Sequence, residues 1–205
     1  MLSVLQLLEP GQGSILIDDI NITHMSPRTV RRRGFIAVPQ DGFIMATASL
    51  RFNLDPYFTS SEQKIFQSLQ RTGLWNKITS VAIGSVEKAS ASHKNRTLLD
   101  VPMSQFLPLS AGQLQLFALS RTLLRVWSST SHKPIVILDE ASSSLDSETE
   151  SVLTRILRND LRDYTVVMIA HRVAGIMGAM RPGVDTISTM QDGRLETVPI
   201  VDSSD

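Results

Sequence analysis

Apolar positions along the chain fall into short runs separated by polar turns, and the runs change period from strand-like to helical and back. After Pro134, residues 135–138 are uninterruptedly apolar, the pattern of a strand buried on both faces of a parallel sheet. Residues 34–38, 165–170 and 186–190 read as further strands, and 191–194 (Gln-Asp-Gly-Arg) as a tight hairpin turn. Residues 14–17 alternate into Asp18-Asp19, which predicts a short strand and a turn. Helical periods occupy Glu62–Arg71, the stretch from the small residues at 110–112 to about Val126, and 148–161 with Ser147 as cap. Ser26-Pro27 is a cap and first-position pair for a short helix over 28–33, whose four arginines read as a solvated face. Residues 1–8 read as the back end of a buried helix stopped by the turn cluster 9–13, and 88–96 as a polar loop. Strands spaced by helices predict an α/β fold with a parallel sheet core flanked by helices. A mostly helical lobe, roughly 49–127, is inserted into it.

Composition narrows the function classes. Twenty basic side chains balance twenty acidic ones, so no net field directs the chain to nucleic acid or to an anionic membrane. There is no cysteine, which excludes disulfides and thiolate metal sites and fits a reducing compartment. A bilayer span needs about 20 apolar residues, and no run here approaches that. The opening residues lack the basic region and small-residue cleavage site of a signal peptide.

Three polar groups are expected at one edge of the sheet. Ligands of such sheets sit beyond the carboxyl ends of the strands, where Asp139-Glu140 falls. An aspartate there can hold Mg²⁺, which prefers few carboxylates and several waters, and the next glutamate can orient and deprotonate an attacking water. His171 follows the strand 165–170 and Gln40 follows 34–38, so both belong to the same edge. A histidine ring N–H can contact a terminal phosphate, and a glutamine can bind a metal through its carbonyl or position water. The sharpest feature is Leu109-Ser110-Ala111-Gly112-Gln113 at the head of a long helix, where backbone N–H groups and the helix dipole favour an anion.

The order Gln40, LSAGQ at 109–113, ILDE at 137–140, SSLD at 143–146 and His171 resembles the ATP-binding-cassette family over nearly the whole chain. The resemblance implies an ATP-hydrolysing nucleotide-binding domain with the P-loop NTPase type of sheet. Ser110, Ala111, Gly112 and Gln113 match the signature loop, with alanine in place of the usual middle glycine. Asp139 matches the magnesium carboxylate, Glu140 the catalytic glutamate and His171 the switch histidine. Asp146 closes the loop that communicates across the dimer, and Gln40 resembles the glutamine that links nucleotide state to the membrane domain. The phrases at 38–43 (VPQDGF) and 49–56 (SLRFNLDP) are similar to C-subfamily, multidrug-resistance-associated exporters, and Glu140 suggests their second nucleotide-binding domain. The implied ligands are ATP and Mg²⁺. The implied partners are a second nucleotide-binding domain and transmembrane domains, placing the chain at the cytoplasmic face of a membrane.

One family feature is missing from these residues. The phosphate-binding loop reads G-x-x-x-x-G-K-[ST], and none of the five lysines follows a glycine. The chain is therefore expected to begin after that loop and after the strands that precede it. It carries the hydrolytic groups without the phosphate cradle, while its signature loop serves a partner's ATP. The alternative is a non-catalytic module that docks on a complete nucleotide-binding domain and contributes only that loop. Residues 175–185 depart from the family pattern and read as a surface insertion.

Overall fold

The computed structural model describes residues 2–39, 42–86, 98–129, 132–139, 146–170 and 177–200. Gln40, Glu140 and His171 lie outside the described residues, as do Ser144-Leu145 and the loop expected over 88–96.

A small hairpin opens the fold: β1 (Leu16–Ile17) pairs antiparallel with β2 (Ile20–Asn21). Asp18 and Asp19 both take positive φ, 48° and 64°, as the two central residues of a primed hairpin turn require. Then α1 (Pro27–Thr29) starts with proline at its first position and widens into a π turn over Val30–Gly34. β3 (Phe35–Val38), β4 (Ile135–Asp139) and β5 (Val166–Ile169) form a parallel sheet with β4 in the centre. Between β3 and β4 the described residues form α2 (Leu50–Leu54), α3 (Glu62–Arg71), α4 (Trp75–Val86), two 3₁₀ turns and the long α5 (Ala111–Ser128). After β4 come α6 (Ser147–Asn159), β5, and the antiparallel hairpin of β6 (Thr186–Gln191) and β7 (Arg194–Pro199). Among the described residues no helix is long and apolar enough to cross a membrane.

The two faces of the sheet bury different sets of side chains. Ile36 and Val38 of β3 and Val136 and Leu138 of β4 join α2, α3, α5 and α6 in the main core, with Leu50, Leu69, Leu119, Leu123 and Leu153 fully buried. Phe35 and Ile137 point to the other face, against Ile22, Val30 and the partly buried Val4 and Leu5. That is why the central strand must be apolar at every position. Two polar groups of the helical core pair with each other: Thr72 and Ser120, both fully buried, share a hydroxyl hydrogen bond of 2.8 Å between the end of α3 and α5.

Four expectations change. Residues 2–6 form turns rather than the end of a buried helix, with Leu2, Leu7 and Leu8 about 60% exposed. Helical stability in proteins comes mostly from burying an apolar face, and Leu2, Leu7 and Leu8 remain exposed here. The cap of α6 is Asp146, not Ser147, because its carboxylate reaches the Thr149 N–H. The strand at 186–190 pairs with β7 in a separate two-stranded ribbon instead of joining the parallel sheet. Finally, α1 forms, but the Ser26 hydroxyl makes no capping bond.

β5 packs one face only. Val166 and Met168 lie against the main core, whereas Val167 and Ile169 are 48% and 39% exposed, and the outer edge of β5 has no strand partner among the described residues. An unpaired apolar edge of this kind is a template for association. The 205-residue chain by itself is expected to bind a hydrophobic dye and to melt over a broad range. A sharp calorimetric transition at high temperature, with no dye binding, contradicts this.

Candidate nucleotide site

Register aligns the ends of the three parallel strands. Val38 pairs with Leu138, and Asp139 pairs with Ile169, so the three parallel strands end level. Gln40, Glu140 and His171, which come one or two residues after these strands in sequence, lie outside the described residues. Asp139 itself is the last residue of β4 and is half-buried.

A second cluster forms where α5 and α6 begin. Ser110 and Gln113 close a capping box: the Gln113 N–H donates to Ser110 Oγ at 3.2 Å, and the Ser110 N–H donates to Gln113 Oε1 at 3.1 Å. Their side chains thus hold the helix start, and the N–H groups of Ala111 and Gly112, at the first two positions of the helix, take no part in the box. Gly112 is buried against α6. A Cβ there would lie 2.9 Å from Thr149 Oγ1 and 3.7 Å from Asp146 Oδ2, so only glycine permits this approach. Gly42, two residues past Gln40, presses on the same turn, since a Cβ on it would come within 3.1 Å of the Leu114 carbonyl oxygen. Gly42, the first turn of α5 and the start of α6 are therefore one contiguous structure. No hydrogen bond among the described residues joins Asp139 to it.

Asp146 caps α6 by accepting the Thr149 N–H at 2.8 Å. This bond, followed by one from the Thr149 side chain, holds its carboxyl below the ordinary value of 3.8. A depressed carboxylate stabilises the fold above its unfolded pKa, and the contribution disappears as pH falls through the folded value. Asp146→Asn keeps an amide oxygen as cap but removes the charge. It is expected to flatten part of the fall in melting temperature below about pH 4, measurable by circular dichroism melts across that range; an unchanged acid-side slope contradicts the assignment.

The residues fit an Mg²⁺–nucleotide ligand in kind. Mg²⁺ takes one or two carboxylates together with phosphate oxygens and water, and Asp139 supplies a carboxylate at the carboxyl edge of the sheet. Among the described residues no cluster of three or more His, Asp or Glu side chains could hold a metal by itself. The start of α5 supplies N–H donors suited to phosphate.

Two structural residues were not anticipated from sequence. Asn53 accepts the Met45 N–H at 2.8 Å and donates to the carbonyls of Met45, Ser49 and Ala48, tying down the loop after the Gln40 segment. Arg121 of α5 donates to the Phe43 carbonyl at 2.7 Å and to that of Asn53. Asn53 belongs to the RFNLDP phrase already singled out, so its signal was present; that of Arg121 was not, because its partners lie far away in sequence.

This parallel sheet flanked by helices is the fold of the ATP-binding-cassette type. A bacterial Atm1-family ABC exporter, solved with ATP bound, superposes with a TM-score of 0.71 at 25% identity, over 96% of this chain and 30% of that one. Over most of its length the chain is homologous to C-family ABC transporters. It is 38% identical over 176 residues to an ABC-type transporter of Gibberella zeae, covering 86% of this chain and 10% of the relative. It is 32% identical over 176 residues to multidrug resistance protein mrp-7 of Caenorhabditis elegans, with the same coverage of 86% and 10%. Against ATP-binding cassette sub-family C member 2 of Mus musculus it is 31% identical over 190 residues, 93% of this chain and 11% of that protein. The chain thus spans about a tenth of the length of these relatives. No protein-family model matches it.

Proposed function

We propose that the chain is part of a nucleotide-binding domain of an ABC exporter, coupling ATP binding and hydrolysis to transport by membrane domains. The observation that supports the reading is the register of β3, β4 and β5, which ends the three parallel strands level at Val38, Asp139 and Ile169. In this reading residues 49–127 are the helical subdomain and the remainder is the sheet core. The site lies at the cytoplasmic face of the membrane.

The roles follow from the chemistry of each group. Asp139, with Gln40, would hold Mg²⁺, which neutralises charge on phosphate oxygens. Glu140 accepts a proton from the attacking water. His171 donates a ring N–H towards the terminal phosphate. The N–H groups of Ala111 and Gly112, held by the Ser110–Gln113 box, face a second nucleotide-binding domain and its ATP, with Asp146 beside them.

A second reading is favoured by one sequence fact: these 205 residues contain no G-x-x-x-x-G-K-[ST]. The chain then docks on a complete nucleotide-binding domain and lends it the α5 turn without hydrolysing ATP itself. One experiment separates the two. The chain is mixed with an intact C-family nucleotide-binding domain, and ATP turnover is compared with that of the parts. Stimulation that survives Glu140→Gln in this chain but not Gly112→Val supports the docking reading. Stimulation lost with Glu140→Gln supports the catalytic one, and no stimulation at all contradicts both.

A further inference from the structure

Three buried side-chain atoms lack a hydrogen-bond partner among the described residues: Gln6 Oε1, Asp160 Oδ2 and Gln115 Nε2. Two of them belong to groups held at their other end. The Gln6 amide donates to the Ile22 carbonyl, and Asp160 Oδ1 lies 3.7 Å from Arg71 Nε. Gln115 differs: among the described residues neither end of its amide is bonded, so exchanging oxygen and nitrogen would not relieve it. The residue is only 5% exposed. A buried amide without a partner is less stable than an apolar side chain of the same shape, so this position carries a cost that local packing does not explain.

Its place on α5 supplies the explanation. Gln115 lies three residues after Gly112, on the same side of the helix. A helical side chain leans over the turn before its own Cα, so the Gln115 amide belongs over the turn that starts at Ala111 and Gly112. That side packs on the start of α6, where a Cβ on Gly112 would meet Thr149 Oγ1 at 2.9 Å. Thr149 is buried as well, and both its N–H and its hydroxyl serve the Asp146 carboxylate. A threonine hydroxyl that donates keeps lone pairs with which to accept a bond.

We infer that Gln115 is a positioning residue for the start of α5: when a partner's nucleotide is seated there, Nε2 donates to Thr149 Oγ1 and completes a buried relay from α5 through Thr149 to Asp146. The bond is not made in this structure, and a small slide of α5 along α6 forms it. The relay then holds the Ala111 and Gly112 N–H groups and the Asp146 cap as one unit, since hydrogen bonds in a chain strengthen one another. An unpaired amide in one arrangement and a paired one in the other is a differential free energy, which is what shifts such an equilibrium. The inference rests on the reading that this turn serves a partner's ATP.

The test uses the whole 205-residue chain carrying Gln115→Met, which keeps the unbranched shape and removes the amide. By itself the variant should melt at the wild-type temperature or above it, because the group removed was unpaired. A fall of several degrees shows that Gln115 is already bonded in the free chain and overturns the inference. Mixed with an intact C-family nucleotide-binding domain, the variant should need ~10-fold more chain for half-maximal stimulation of ATP turnover. Thr149→Val should raise that concentration by a similar factor, and the double variant no further, since both remove one bond. Wild-type stimulation with an unchanged Gln115→Met curve, or additive effects of the two substitutions, overturns the inference and leaves the reading of the turn standing. Absence of stimulation by the wild-type chain overturns that reading and this inference with it.

Discussion

Phe117→Ala is expected to lower the free energy of unfolding by about 3–5 kcal/mol, the usual cost of truncating a fully buried phenylalanine. Phe117 is 1% exposed and lies midway along α5, the helix that packs on α2, α3, α6 and β3 together. Removing its ring opens a cavity beneath the sheet and withdraws the face over which Arg121 sits at 4.9 Å. Since a domain is stable by roughly 5–15 kcal/mol in all, the variant should be largely unfolded at moderate urea. Equilibrium denaturation checks this, and a loss under about 1 kcal/mol contradicts the placement of α5 at the centre of the core.

Gly112→Val acts on function as well as stability. The added Cβ meets Thr149 Oγ1 at 2.9 Å, on the residue whose N–H and hydroxyl serve Asp146, so it cannot be relieved by moving a distant chain end. Forcing α5 and α6 apart costs about 1–3 kcal/mol by overpacking. It also tilts the N–H groups of the α5 turn. The variant is therefore expected to lose any stimulation of a partner's ATP turnover while its melting temperature falls by several degrees. Thr149→Ala should restore part of both, since it removes the clashing hydroxyl. A Gly112→Val chain with unchanged stability and unchanged stimulation contradicts the contact.

Much of this could be read from residues in sequence. The four apolar residues 135–138 announced the central strand because both of its faces are buried, and α3 matched its expected bounds because Ser61 caps it where the pattern begins. The start of α5 was legible because small residues at 110–112 open a long apolar-periodic stretch; the Ser110–Gln113 box that holds it is seen only in the structure. What escaped was decided by distant partners. The arginines of α1 looked like a solvated face, yet three of them share a groove with Arg121 and Arg125 from a helix some 90 residues later. The opening leucines looked helical by composition, but nothing packs on Leu2, Leu7 or Leu8, so turns prevail. The one-residue error at α6 arose because both Asp146 and Ser147 are good caps, and only the Thr149 N–H decides between them.

The central proposal is that Asp139, with Gln40, Glu140 and His171, serves ATP hydrolysis, although these 205 residues contain no G-x-x-x-x-G-K-[ST]. Each missing hydrogen bond to a charged phosphate is worth ~1.5–3 kcal/mol, so three of them weaken binding by roughly 10³-fold or more. The most direct test is calorimetric titration of Mg²⁺–ATP into the purified 205-residue chain. The account predicts no binding tighter than the millimolar range; a micromolar Kd, lost with Asp139→Asn, would contradict it.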